Sequence, residues 1–119
     1  MPRANSSVPR HKRHKKIIKS AKGYFGTRKS NFRTAKDAVQ KSLQYAYRDR
    51  KVNKREFRKL WIIRINAAVR EHGMNYSQFV YALKVAKIEM DRKTLAYLAM
   101  EEPDLFSEIA QKAKINLLT

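Results

Sequence analysis

The side chains able to do chemistry in this chain are cations and aromatics, not acid–base pairs. His11 and His14 stand three residues apart, which puts two imidazoles on one helical face. No carboxylate or cysteine lies near them in sequence, so they read as histidines of a basic segment that meets phosphate. His72 precedes Gly73 at an expected helix end, where a cation suits the dipole, and a capping role fits better than catalysis. Gly23 and Gly26 make the only G-x-x-G. That spacing clamps nucleotides in KH domains, but a KH fold needs strands, so a sharp bend is the better reading. No G-x-x-x-x-G-K-[ST] and no G-x-S-x-G is present. The chain has no cysteine, which excludes disulfides, thiolate zinc sites, iron–sulfur clusters and thiol nucleophiles. No cofactor and no metal are expected.

What remains is suited to a polyanion. Arg10, His11, Lys12, Arg13, His14, Lys15 and Lys16 form a near-continuous cationic run. Arg48, Arg50, Lys51, Lys54, Arg55, Arg58 and Lys59 form a second, expected on several sides of one helix. A solvated charged face normally mixes signs, and these runs barely do. Tyr24, Phe25, Phe32, Tyr45 and Tyr47 interleave with the cations and can stack on unpaired bases. Phe32 and Tyr47 can equally pack on a helix.

The balance of the whole chain agrees. Its 119 residues hold 28 Lys and Arg against 10 Asp and Glu, a net charge of +18. Small domains stay soluble at a net charge of roughly 2–8 in magnitude, so the surplus points to a partner, nucleic acid before acidic membrane. Residues 1–60 carry 20 cations and 3 acids, net +17; residues 61–119 carry 8 and 7, net +1. The first half repels itself and has little to bury, so it is expected to order only against a polyanion. No apolar run approaches the ~20 residues that cross a bilayer, and no signal-peptide core is visible.

The elements that must position these residues read as all helix. Three glycines and three prolines are too few for a sheet protein, and period-2 alternation is absent. Ser7 is expected to cap a first helix ending near Ala21. Between Ser30 and His72 no Gly or Pro occurs, which predicts one long helix stopped by Gly73. Ala35, Val39, Leu43 and Ala46 give it a thin apolar stripe. Phe57, Leu60, Trp61, Ile65, Ala68 and Val69 give it a docking face, with Trp61 expected to be buried. Three shorter helices follow. Ser77 is expected to cap the first and Asp91 the second, with Met90 and Leu95 as a hydrophobic staple. Pro103 is expected to open the last, with Lys112 and Lys114 near its C-terminal end. The fold class is therefore all-α: a long basic N-terminal helical extension, residues 1–59, and a small C-terminal helical bundle, residues 60–119.

Arg13-His14-Lys15-Lys16-Ile17, Ala21-Lys22-Gly23-Tyr24-Phe25-Gly26 and Gln44-Tyr45-Ala46-Tyr47-Arg48-Asp49-Arg50-Lys51 carry a resemblance. With Lys54-Arg55, Phe57-Arg58, Leu60-Trp61-Ile62, Arg64-Ile65-Asn66-Ala67-Ala68, Tyr76-Ser77 and Asp91-Arg92-Lys93, the chain resembles the bacterial-type large-subunit ribosomal protein L20 family. The match runs in order along almost the whole chain; residues 2–8 and those after Met100 are its least distinctive parts.

The resemblance implies a structural, non-catalytic protein that binds the large (23S-type) rRNA directly and promotes early large-subunit assembly. Neighbouring ribosomal proteins are implied as partners, as is a cytoplasmic place in the large subunit. Some members also repress translation of their own operon through its mRNA. By position, residues 1–59 become the rRNA-threading extension and 60–119 the globular rRNA-binding domain.

The RNA-contacting residues expected in the extension start with Arg3, Arg10, Lys12, Arg13, His14, Lys15, Lys16, Lys19, Lys22, Tyr24, Arg28, Lys29 and Arg33. Arg48, Arg50, Lys51, Lys54, Arg55, Arg58 and Lys59 complete it, and Lys84, Arg92 and Lys93 are the candidates of the globular domain. Arginine forks can grip phosphate oxygens in pairs, while lysines act as point charges.

Two other classes were open to the residues alone. A membrane-surface or transit-type segment is suggested by residues 1–36, with 12 cations and no acid, but Ile17, Ile18, Ala21 and Phe25 make too small an apolar face. An RNA-modifying enzyme would need clustered acid, base and cofactor motifs, which are missing.

Overall fold

Residues 3–118 are described by a computed structural model, and every regular element among them is helical. The elements are α1 (Ser7–Ser20), a 3-10 turn (Gly26–Lys29), α2 (Phe32–Arg70), α3 (Tyr76–Val85), α4 (Arg92–Glu101) and α5 (Pro103–Leu118). The all-α class, a basic N-terminal helical part followed by a small C-terminal bundle, is what the chain adopts. Two compact units form, Met1–Lys51 and Val52–Thr119, and α2 belongs to both without a break. The charge boundary after Leu60 therefore falls inside a helix.

In the first unit Ser6 is the residue that precedes α1, and no side chain caps it. Ser7 does not cap as expected: Asn5 Oδ1 accepts from the Ser7 N–H at 3.3 Å and from its hydroxyl at 2.8 Å. Asparagine bonds the backbone two residues on more readily than serine does, so Asn5 takes Ser7 for itself. The chain then bends at Gly23 (φ 86°) and Gly26 (φ 61°). A β-carbon at either position would meet open space, so the left-handed backbone, not crowding, requires glycine. At the start of α2 the Thr34 hydroxyl donates to the carbonyls of Thr27 (3.2 Å) and Asn31 (3.1 Å), fastening the 3-10 turn to the helix. His14, Ile17, Ile18 and Ala21 share one face of α1. The His14 ring stacks on Phe32 at 3.7 Å, and Ala21 and Ala35 are fully buried. The expected stripe on α2 fades quickly: Val39 and Ala46 are half-buried and Leu43 is 65% exposed.

In the second unit the core gathers Ile65 and Val69 of α2, Met74, Phe79, Ala82 and Leu83 around α3, Leu95 and Ala96 of α4, and Phe106, Ala110 and Ala113 of α5. Phe79 and Phe106 meet at 5.6 Å and a 45° tilt. Trp61 is half-buried at the margin of this core, beside Phe57, and is not enclosed as expected. Phe57 and Leu60 are exposed. The docking face therefore narrows to Ile65 and Val69, flanked by Trp61 and Ala68.

Helix ends follow local chemistry. α2 closes in a Schellman motif: Gly73 (φ 75°) donates to the Arg70 carbonyl at 3.1 Å and Met74 to Val69 at 3.4 Å. Lys114 Nζ donates to the His72 carbonyl at 3.0 Å, so the side chain that caps this helix end is Lys114 and not the His72 ring. The His72 ring lies 3.4 Å from the Ser107 hydroxyl. α3 is capped by Asn75, not Ser77, in a reciprocal box with Gln78: the side chain of each accepts from the backbone of the other, at 2.9 and 3.0 Å. Asp91 caps α4, accepting from the Thr94 N–H at 2.7 Å, and Pro103 opens α5, both as expected. Met90 and Leu95 both join the core.

Candidate nucleic-acid interface

The first unit holds 16 Lys and Arg against 2 acids, a net +14. On α1 the face of His14, Ile17, Ile18 and Ala21 turns inward, and Arg10, Lys12, Arg13, Lys15, Lys16 and Lys19 are all exposed. His14 is the exception among the expected contacts, because its ring is half-buried on Phe32. Phe32 thereby takes the packing role of the two open to it. Arg3 is exposed ahead of α1, and Lys22, Arg28, Lys29 and Arg33 are exposed around the bend and at the entry to α2.

Along α2 the second cationic run is not spread all round. At about 100° per residue, Arg48, Arg50, Lys51, Lys54, Arg55, Arg58 and Lys59 fall on an arc of roughly 180°. The opposite side carries Asp49, Val52, Asn53 and Glu56. Arg48 Nε meets Asp49 at 2.9 Å, and Lys59 Nζ meets Glu56 at 2.8 Å. These are the two ion pairs among the described residues. Both sit where the cationic arc meets the acidic side, leaving the middle of the arc without an internal counter-charge. The hydrogen bond to Asp49, and then its charge, hold the Arg48 guanidinium above its ordinary value.

Aromatic rings of the same stretch are engaged with their neighbours. Lys41 Nζ stands 5.2 Å and the Arg48 guanidinium 4.6 Å from the Tyr45 ring centre, and Lys51 Nζ stands 4.5 Å from that of Tyr47. Such pairs fix cations and rings together in water. Lys41 was not among the expected contacts; its i, i+4 spacing to Tyr45 was the available signal. Between the bend and α2 lies an open cleft of about 790 Å³, bordered by Tyr24, Phe25, Arg28, Asp37, Lys41 and Tyr45 among others.

In the second unit Lys84, Arg92 and Tyr76 border one cavity of about 180 Å³. Arg92 Nε donates to the Tyr76 hydroxyl at 2.8 Å, tying the start of α4 to the start of α3. Lys93 and Ser77 are exposed but do not border this cavity. The structure thus brings Lys84 and Arg92 together and leaves Lys93 apart. The Asp91 carboxyl is held below the usual aspartate range by the hydrogen bonds it accepts from Thr94, side chain first and backbone second. No group of His, Asp and Glu among the described residues could hold a metal ion, and none of their helices is long and apolar enough to cross a membrane.

The exposed cations of α1 and α2 give these helices a surface suited to pairing with closely spaced anionic groups. The sequence pattern of the family described as Ribosomal protein L20 matches residues 3–109. A large ribosomal subunit protein bL20 from Carboxydothermus hydrogenoformans is 59% identical over 117 residues, covering 98% of this chain and all of that protein. The protein of the same name from Methylorubrum extorquens is 57% identical over 117 residues, 98% of this chain and 97% of its own. That from Granulibacter bethesdensis is 55% identical over 114 residues, 96% of each.

Proposed function

The chain belongs to the ribosomal protein L20 family, and on that premise we propose that it binds the large rRNA directly, phosphate by phosphate, and helps it fold during early large-subunit assembly. Its place is then the large ribosomal subunit in the cytoplasm, and its role is structural and not enzymatic. Neighbouring large-subunit proteins are its further partners, and its own operon mRNA is a candidate second RNA.

The observation that carries this reading is the surplus of cations without internal partners. Folding RNA forces phosphates together against their repulsion. A helix that brings fixed positive charge between them lowers that cost and releases condensed ions. Residues 1–59 serve as the extension that does this, with Arg50, Arg55 and Arg58 making forked phosphate contacts. Residues 60–119 supply a near-neutral, shaped body that docks on an RNA junction, with Lys84, Arg92 and Lys93 as its contacts.

Crosslinking the chain to total cellular RNA and identifying the RNA recovered tests the proposal. Large-subunit rRNA is the expected product, with crosslinks concentrated in residues 3–59. Recovery of unrelated RNAs in proportion to their abundance, or tighter binding to anionic vesicles than to rRNA, would overturn it.

A further inference from the structure

We propose that the cleft between the bend and α2 is a pocket for a single unpaired guanine base of the bound RNA, read by Asp37. This rests on the RNA-binding reading above and adds a site and a base to it.

Three observations meet there. Phe25 is 92% exposed, the most exposed of the large apolar side chains among the described residues. It is held on a four-residue turn whose ends, Gly23 and Gly26, both take left-handed backbone. Such a bend sets a rigid ring out in water, where it gains nothing until a flat partner covers it. Tyr24 and Tyr45 border the same cleft, so the space beside Phe25 has aromatic walls. Every nucleobase has a face that stacks on such rings, and RNA readers use unstacked bases in this way.

The third observation is Asp37. It is the only acid among the first 48 residues, in a unit whose one other acid is Asp49. It lies in this cleft with Arg28 and Lys41 on the same walls, yet it forms no hydrogen bond or ion pair among the described residues. A carboxylate repels phosphate, so it weakens a surface that binds RNA backbone alone. It fits a surface that also meets a base edge.

Chemistry selects the base. An ionised carboxylate only accepts hydrogen bonds, through two oxygens side by side. Guanine presents two donors side by side, N1–H and the N2 amino group. Adenine and cytosine present one amino group beside an acceptor nitrogen, and uracil one N–H between two carbonyls. Each of those sets an acceptor against the carboxylate. Arg28 and Lys41 are then placed for the phosphates that flank the extruded base.

The experiment uses the full chain and fluorescently labelled ten-nucleotide RNAs, read by anisotropy. One is all uridine; three others carry a single central guanosine, inosine or adenosine. Guanosine should bind about tenfold more tightly than the other three, the effect of one good bidentate contact. Inosine lacks the N2 amino group and should lose most of the advantage. Asp37→Asn should abolish the preference while binding all-uridine RNA at least as well as before, since a repelling charge is gone. Phe25→Ala should weaken the guanosine RNA at least about fivefold. Both side chains are exposed, and circular dichroism should be unchanged in both variants.

Equal affinity for all four RNAs overturns this proposal while leaving phosphate binding intact. A guanosine preference that survives Asp37→Asn overturns it too. Failure to bind any of the four, or large-subunit rRNA itself, overturns the RNA-binding reading and this one together.

Discussion

Lys87 stands where glycine is the ordinary occupant. It takes φ 54° and closes α3 in the same Schellman pattern that Gly73 gives α2: Lys87 donates to the Lys84 carbonyl at 3.1 Å and Ile88 to Leu83 at 2.9 Å. A side chain in left-handed backbone costs about 1 kcal/mol or more. Lys87→Gly is therefore expected to stabilise the folded chain by about 1 kcal/mol, seen as a higher midpoint in urea. Asp91 offers a residue-scale test with pH. Its folded pKa is depressed, so ionisation favours the folded state. The contribution is complete above the ordinary carboxylate value of roughly 4 and is lost as pH falls through it towards the depressed folded value. Thermal melts of the natural chain and Asp91→Ala should differ by a constant amount from neutrality down to about pH 5, and the gap should shrink at lower pH. A gap that widened in acid would contradict the cap.

At the scale of elements, the cationic arc of α2 makes a directional claim. Lys54 and Arg58 lie near the middle of the arc, and Asn53 lies opposite. Replacing Lys54 and Arg58 with glutamine should reduce the slope of log affinity against log salt by roughly 0.7–0.9 per residue, equally on matched and altered RNA sequences. Asn53→Gln should leave the slope unchanged. A loss confined to one RNA sequence would mean that these side chains read bases.

The elements also show what the residues alone could say. The extent of α2, its stop at Gly73, the cap at Asp91 and the start at Pro103 were legible because each is decided within one turn of chain. Asn75 and Ser77 are both good caps two residues apart, and Gln78 three places after Asn75 was the deciding signal. The arc was present in the spacing, but a run of like charges reads as all-round until it is laid on a helix. Lys87 carries no mark of its backbone angle. The Asp37 cleft needs residues 24–28 brought beside 34–45, and no local pattern encodes that approach. Trp61 looked enclosed because its type and neighbours favour burial, yet α2 turns only Ile65 and Val69 fully into the core.

At the scale of the whole molecule, the buried apolar side chains among the described residues divide very unevenly. Val52–Thr119 has eleven, among them Phe79, Phe106, Ile65 and Val69, whereas Met1–Lys51 has two, Ala21 and Ala35. Burying two methyl groups contributes on the order of 1–2 kcal/mol, while ordering each backbone residue costs about as much again. The first unit therefore opens easily, and it contains 16 of the 28 bonds at which trypsin cuts. Brief digestion of the free chain should leave a resistant fragment from the second unit and remove the first, and large-subunit rRNA should protect the first unit as well. The same two alanines then bear on the lifetime of the protein in a cell. Given the RNA binding proposed above, copies made beyond the supply of RNA would be degraded from their N-terminal unit onward, and turnover itself would keep this chain in proportion to its RNA.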